Sequence, residues 1–215
     1  MDDLPLVLSY PRSGMNWLRH CVERMSGRNT PGPNLGLVES EEYAFCRLHN
    51  IRRGQRKASP RGASWNRVCL ILRDYRESYV RTPLLQRRRF TTCKNWNYTS
   101  YAHNILYFEQ YTGPKLLIRY EDHVGAFTES IRFLFWADIP HTVLTDDDYA
   151  AEVRHSKQYY SNEHRKYYRR TPRREITDQV KQASKEALVR ILGDELFDKY
   201  LSCYDDNTAA LRAAA

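Results

Sequence analysis

The sequence predicts an α/β fold in which a mainly parallel central sheet is flanked by helices. Short apolar segments of strand length alternate along the chain with longer segments of helical periodicity, a pattern typical of parallel strands joined by crossover helices. The sequence has no internal repeat and no Gly/Ser linker, so we expect a single domain spanning residues 1–215. In a sheet of this kind ligands bind beyond the carboxyl ends of the strands.

Four segments are predicted as strands because each is short, mainly apolar and bounded by turn or charged residues. The clearest is RVCLIL, and the first, PLVLS, has the composition of a buried strand. Two connecting segments are predicted as loops, a Gly/Pro/Asn-rich one at Ser26–Gly36 and a basic one at Ile51–Gly62. The predicted strands, in order, are Pro5–Ser9, Tyr43–Leu48, Arg67–Leu72 and Lys115–Arg119.

The segments between and after these strands show helical spacing of apolar residues. Gly113-Pro114 ends the third predicted helix, and the fourth places Ile131, Leu134 and Phe135 at core spacing. The last is the most regular, with its apolar residues on one face. The predicted helices are Asn16–Met25, Glu77–Gln86, Tyr98–Tyr111, Glu129–Trp136 and Thr177–Leu201.

The chain is basic: 34 Lys and Arg against 26 Asp and Glu give a net charge of +8. This balance indicates an anionic partner, whether a nucleotide, a nucleic acid, or a sulfated or phosphorylated ligand. The apolar runs are only a few residues long, far short of the ~20 that a membrane-spanning helix needs. The first residues are acidic, which is wrong for a signal peptide. We therefore expect a soluble, cytoplasmic protein with no membrane partner.

The five cysteines are odd in number, widely spaced and without a CxxC pair. Cys21, Cys46 and Cys69 lie inside apolar runs, which favours buried free thiols in a reducing compartment over disulfides or zinc. No His/Cys/carboxylate cluster with ligand spacing is evident. The sequence therefore predicts no metal site.

The segment Ser9–Leu18, SYPRSGMNWL, predicts an anion-binding site. A buried strand runs through a Ser-Gly turn directly into a helix, so backbone N–H groups and the positive helix end point at one spot. Arg12 adds a fixed charge, and Ser13 and Asn16 add side-chain donors. The segment is not a Walker A loop, because GxxxxGK[ST] is absent. The alternative is an ordinary strand-to-helix turn.

YPRSGMNW, residues 10–17, resembles the 5′-phosphosulfate loop of the sulfotransferases that use 3′-phosphoadenosine 5′-phosphosulfate (PAPS), usually written YPKSGTTW. The resemblance implies a P-loop-like three-layer architecture, PAPS as donor co-substrate, 3′-phosphoadenosine 5′-phosphate (PAP) as product and no metal. Arg12 replaces the usual Lys, and Met15 replaces a Thr. Trp17 offers a stacking face for adenine or, alternatively, belongs to the core. The loop residues that the resemblance assigns to the nucleotide are Arg12, Ser13, Gly14, Met15, Asn16 and Trp17.

Two further segments resemble the family's nucleotide site. Val68–Arg81 is similar to its 3′-phosphate segment, in which a strand ends in an Arg, here Arg73. The family's Ser position holds Arg81, with Ser78 one helical turn earlier on the same face, so the resemblance leaves the phosphate contact open between the two. LIRYEDH resembles a strand ending that places Tyr120 near the adenine. Alternatively, Arg73 is a surface residue that pairs with Asp74 or Glu77, and Glu121 and Asp122 only open a helix.

Phe45–His49, FCRLH, is similar to the family's Lys-Thr-His strand end, in which the His is the general base. The resemblance therefore makes His49 the candidate base. Arg47 lies two residues before it on the same strand face, where it would add positive charge near the sulfate. Arg12 is the expected stabiliser of the bridging and 5′-phosphate oxygens, acting electrostatically because an Arg does not give up its proton. A structural or surface His49 is the alternative.

The stretch His164–Arg174, HRKYYRRTPRR, is basic with interleaved tyrosines. The resemblance implies that it closes over the 3′-phosphate, with Arg165 and Lys166 as the nearest match to the family's RKG signature. On its own this composition also suits nucleic-acid binding or a solvated charge run. We therefore predict a sulfotransferase acting on a hydroxyl or amine of a small-molecule, sugar or peptide acceptor. The alternative is a non-catalytic nucleic-acid or polyanion binder.

Overall fold

The computed structural model describes residues 4–32, 37–52, 65–80, 96–163 and 178–205. Within these residues a four-stranded sheet has the order β2-β1-β3-β4, and all three strand pairs are parallel. The prediction of a parallel α/β sheet is therefore confirmed. The strands are β1 (Leu6–Ser9), β2 (Cys46–Leu48), β3 (Val68–Leu72) and β4 (Lys115–Arg119).

The strands form where the sequence is most apolar, since β1 and β3 occupy the middle of the sheet and are buried along their whole length. β4 coincides with its prediction, and β1 and β3 begin one residue later than predicted. β2 is shorter than the predicted Tyr43–Leu48, because Tyr43 instead forms an isolated bridge with Asn29.

Helices cover both faces of the sheet. In chain order they are α1 (Met15–Ser26), α2 (Tyr75–Val80), α3 (Trp96–Gln110), α4 (Tyr120–His123), α5 (Thr128–Trp136), α6 (Asp146–Glu163), α7 (Asp178–Leu192) and α8 (Asp194–Leu201), followed by a short 3₁₀ turn at Ser202–Tyr204.

The core has two layers because successive strand residues point to opposite faces. Leu6 and Leu8 of β1 pack with α3, α7 and α8 on one face, while Val7 packs with α1 and α5 on the other. The same alternation separates Leu70 from Cys69 in β3. The arrangement is a helix–sheet–helix sandwich, the three-layer architecture expected from the sequence.

Two helical predictions need correction. The predicted helix Thr177–Leu201 is two helices, because Gly193 interrupts it with a φ of 78° and a ψ of 163°, a backbone conformation incompatible with a continuous helix. The sequence analysis also missed α6, whose residues are mostly polar and show little helical periodicity of apolar side chains.

The cysteine predictions hold for part of the chain. Cys21 and Cys69 are buried free thiols, whereas Cys46 is only half-buried and Cys203 is exposed. Burial raises the pKa of the Cys21 thiol to about 12. Cys93 lies outside the described residues. No helix among the described residues is long and apolar enough to cross a membrane.

Candidate active site

The carboxyl ends of the four strands bring most of the sequence-predicted site residues to one edge of the sheet. The register pairs Leu8 with Leu48 and Leu72 with Arg119, so the residues that follow each strand emerge side by side. His49 follows β2, Arg73 follows β3 and Tyr120 follows β4. This is the edge at which parallel sheets bind ligands.

The loop from β1 to α1 is a tight turn with two left-handed residues. Ser13 N–H donates to the Tyr10 carbonyl at 3.1 Å, and φ is +75° at Arg12 and +91° at Gly14. The turn delivers the chain to α1 at Met15, so the first N–H groups of a 12-residue helix lie at the mouth of the site. Ser13 Oγ is fully buried and has no hydrogen-bond partner among the described residues. A buried hydroxyl of this kind is suited to a ligand oxygen.

Tyr120 and Arg73 lie against this loop. A Cβ added to Gly14 would overlap the Tyr120 ring, so only glycine allows this approach. The Arg73 guanidinium lies over the same ring, 3.9 Å from its centroid, and donates from Nη1 to the Arg12 carbonyl at 3.0 Å. Three segments that the sequence analysis assigned to one nucleotide site are therefore in contact.

A second layer of hydrogen bonds fixes the backbone around Arg73. Tyr101 Oη donates to the Arg73 carbonyl at 2.6 Å, and Glu121 Oε1 accepts from the Asp74 N–H at 3.1 Å. Asp74 forms its ion pair with Arg76 at 2.9 Å, whereas Arg73 Nη2 lies 3.9 Å from Glu77. Of the two acids that the sequence offered as partners, Arg73 therefore pairs with Glu77, and its contact with the 3′-phosphate stays a prediction.

His49 is held by β1. Its Nδ1 lies 2.9 Å from Ser9 Oγ and 3.3 Å from the Ser9 carbonyl oxygen. A carbonyl only accepts, so this contact requires the proton on Nδ1 and leaves the Nε2 lone pair available. Burial, and then the positive charge of Arg47, lower the pKa of His49 below its usual 6.5, so the imidazole is neutral near pH 7.

Asn104, on α3, joins the ends of β1 and β2 and was not found by the sequence analysis. Its Nδ2 donates to the carbonyl oxygens of Ser9 and His49, each at 3.2 Å, and its Oδ1 accepts from the Ile51 N–H at 3.1 Å. The signal available in the sequence was a polar residue within the apolar face of a predicted helix. Asn104 is 1% exposed.

The remaining predicted residues have different surroundings. Met15 is buried in the core beneath α1, which leaves only its backbone N–H for an anion. Asn16, beside it, is half-buried. Arg47, in β2, lies beside Gly32 and Arg19. Ser78 is fully buried on α2. Arg81, Arg165, Lys166 and the His164–Arg174 stretch lie outside the described residues.

Trp17 has a packing role. Its indole stacks on His20 and Phe127, with ring centroids 5.5 and 6.2 Å away, and its Nε1 donates to the His123 carbonyl at 3.1 Å. These contacts engage the ring that adenine stacking would need. The half-buried Trp17 therefore packs against the core, as the alternative expected, and its contact with adenine stays a prediction.

A second polar cluster lies between α1 and α6. His20 Nε2 is 2.8 Å from Glu152 Oε2, and Arg24 binds the other Glu152 oxygen at 2.8 Å. His155 lies one turn beyond Glu152, and its Nδ1 is 4.0 Å from Oε2. These three side chains form a group of potential metal ligands that the sequence pattern did not show, and the absence of a metal stays a prediction. The cluster is invisible in the sequence because its two halves are 132 positions apart.

No family model and no curated protein matches the sequence. Among solved structures, the mouse sulfotransferase SULT7A1 complexed with PAP is similar at 17% identity and a TM-score of 0.46. The match covers 99% of this chain and 88% of that one.

Proposed function

We propose that this protein is a PAPS-dependent sulfotransferase that transfers a sulfuryl group to a hydroxyl or amine of its acceptor. The observation that supports this most directly is the convergence of three groups at one sheet edge. They are the left-handed loop at Arg12–Gly14, Arg73 packed on Tyr120, and neutral His49 with its Nε2 lone pair available. An anion loop, a second cation and a base are the groups that this reaction requires.

The loop supplies donors for the 5′-phosphosulfate. The first N–H groups of α1 and the buried Ser13 hydroxyl suit phosphate oxygens, and Gly14 lets the backbone approach closely. Arg12 stabilises the charge that develops on the bridging oxygen as the S–O bond breaks. A left-handed non-glycine residue costs about 1–3 kcal/mol of backbone strain. The presence of arginine rather than glycine at this position favours a function for its side chain.

His49 is assigned as the general base. Its Nε2 takes the proton of the acceptor hydroxyl while the acceptor oxygen forms its bond to sulfur and the sulfur–phosphate oxygen bond breaks. The electron pair of the broken bond leaves with PAP. The hydrogen bond from Nδ1 to Ser9 orients the ring, in the way that a positioned base requires.

Arg73 is assigned to the 3′-phosphate, with Ser78, Arg81, Arg165 and Lys166 as further candidates. Tyr120 acts as a positioning residue rather than as an adenine contact, because Arg73 lies over its ring and Gly14 against it. A single domain over residues 1–215 and a cytoplasmic location remain predictions that accompany this proposal.

The first experiment compares PAP with adenosine 5′-monophosphate by thermal unfolding without Mg²⁺. A ligand at 100 times its Kd stabilises the native state by about 2.7 kcal/mol, roughly 5–10 °C for a chain of this size. We expect PAP to reach this range at a concentration at which the monophosphate has a much smaller effect. Equal shifts would contradict the 3′-phosphate assignment, and stabilisation by single-stranded oligonucleotide alone would favour the polyanion binder.

The second experiment measures transfer of labelled sulfate from PAPS to a panel of phenols, sugars and peptides. Arg12→Ala should lower turnover about 10²-fold or more, whereas Arg12→Lys should retain activity. Arg190→Ala, which removes an exposed arginine of α7, is the matched control for the loss of one positive charge. Unchanged turnover in Arg12→Ala would show that the loop is only a turn.

A further inference from the structure

We propose that His20, Glu152 and His155 form a binding site for a divalent transition metal, with Zn²⁺ as the ion that the ligand set fits best. Each residue offers one ligand atom, and these atoms all lie within 4.8 Å of one another. Two imidazoles and one carboxylate form a common three-ligand zinc set, in which water takes the fourth position. The site is separate from the proposed sulfotransferase chemistry and does not depend on it.

The distances allow this coordination with small side-chain adjustments. Tetrahedral ligands at about 2.0–2.1 Å from zinc stand roughly 3.4 Å apart. His20 Nε2 and Glu152 Oε2 are 2.8 Å apart, so they must separate slightly, and His155 Nδ1, 4.0 Å from Oε2, must approach. The His155 side chain is 51% exposed, so it is free to rotate inward and leaves the fourth position open to solvent.

Arg24 is compatible with the site because it uses the other carboxylate oxygen. Its Nε and Nη2 bind Glu152 Oε1 at 3.0 and 2.8 Å, while Oε2 faces the two histidines. An outer partner of this kind orients a ligating carboxylate. His20 is 2% exposed, so its ring is held in place by the surrounding side chains.

The few buried side chains of α6 indicate a structural role for the proposed metal ion. Only Glu152 and Ser156 are buried among the α6 side chains that the structure describes, so the helix has little apolar surface with which to bind α1. Its Tyr149 packs against Trp17 and Phe127, and Glu152 provides the polar contact. A metal held by one ligand from α1 and two from α6 would fasten the two helices together.

The test is Zn²⁺ binding by calorimetry to chelator-treated full-length protein. We expect one equivalent to bind the wild type, at least about tenfold more weakly in His155→Ala, and with unchanged affinity in His141→Ala. His141 contacts Phe135 and the Ile139 carbonyl and does not belong to the cluster. The His155 side chain is largely exposed, so its removal should not affect folding.

Glu152→Gln is the second variant. It should also weaken Zn²⁺ at least tenfold, and Zn²⁺ should raise the melting temperature of the wild type but not of this variant. Absence of Zn²⁺ binding by the wild type would overturn the proposal and leave an ion-pair cluster. Binding that persists unchanged in His155→Ala would also overturn it and would indicate a site elsewhere.

Discussion

Replacing Asn104 by alanine should destabilise the protein strongly, because one buried side chain satisfies three backbone groups at the sheet edge. The variant leaves the N–H of Ile51, a residue only 2% exposed, without its acceptor, which costs about 1–3 kcal/mol. The two lost bonds to the Ser9 and His49 carbonyls contribute about 0.5–1.5 kcal/mol each. The expected loss is therefore about 2–6 kcal/mol, out of the roughly 5–15 kcal/mol typical of native domains.

Urea unfolding measures this loss as a lower midpoint with an unchanged m value. Gln110→Ala is the matched control, since Gln110 is exposed on the same helix and should change the free energy of unfolding by less than about 0.5 kcal/mol. If Asn104→Ala falls within that margin of the control, the inferred role of Asn104 is wrong.

Asn104→Asp separates the two kinds of bond. A carboxylate retains the acceptor for Ile51 N–H but faces two carbonyl oxygens, so burial and these oxygens should raise its folded pKa. The destabilisation should be greatest at pH 7 and should shrink as the pH falls through that raised pKa, because the neutral acid can donate one bond. A loss in free energy of unfolding that does not change with pH would contradict the inference that Nδ2 donates to the two carbonyl oxygens.

Three further predictions concern the proposed active site. His49→Asn should lower turnover about 10²–10⁴-fold with little change in PAP affinity; loss of both together would indicate a structural residue. The wild-type rate should fall only below pH 6.5, since the pKa of His49 is lowered. Arg47→Ala should move this fall in rate to higher pH, because it removes a positive charge that lowers the His49 pKa. A pH–rate profile that does not move would exclude an effect of Arg47 on His49. Arg12→Gly should abolish turnover, yet leave the free energy of unfolding unchanged or raise it by up to about 1 kcal/mol, because glycine adopts a positive φ without strain. A markedly lower free energy of unfolding, measured by urea unfolding, would exclude strain at this position.

The parallel sheet was predictable because a buried strand has a local sequence pattern, a short run of β-branched and aliphatic residues. RVCLIL and KLLIR are too short and too apolar to suit any other element, and both segments form strands in the structure. Helix boundaries were predictable only where the helix ended together with the periodic pattern of apolar residues. The apolar stripe continues across Gly193, so periodicity alone joins two helices that the backbone at that residue separates.

The site was predictable only in part, because a local sequence pattern shows where a strand ends but does not show which distant residues come into contact. His49, Arg73 and Tyr120 follow strands and so share an edge by topology alone. Asn104 bonds to backbone groups more than 50 positions away, and no local pattern identifies such a partner. The packing of Trp17 depends in the same way on residues over 100 positions distant.

The order of the strands has a consequence for how the chain folds. Contacts at the site join distant segments: His49 to Ser9 across 40 positions, Arg73 to Arg12 across 61 and Asn104 to Ser9 across 95. Parallel pairing requires these loops to close before their contacts form, and chains rich in such contacts fold slowly. Because this edge is complete only when all four strands have paired, we expect it to form late in folding. A nucleotide bound there should slow unfolding and leave the folding rate unchanged.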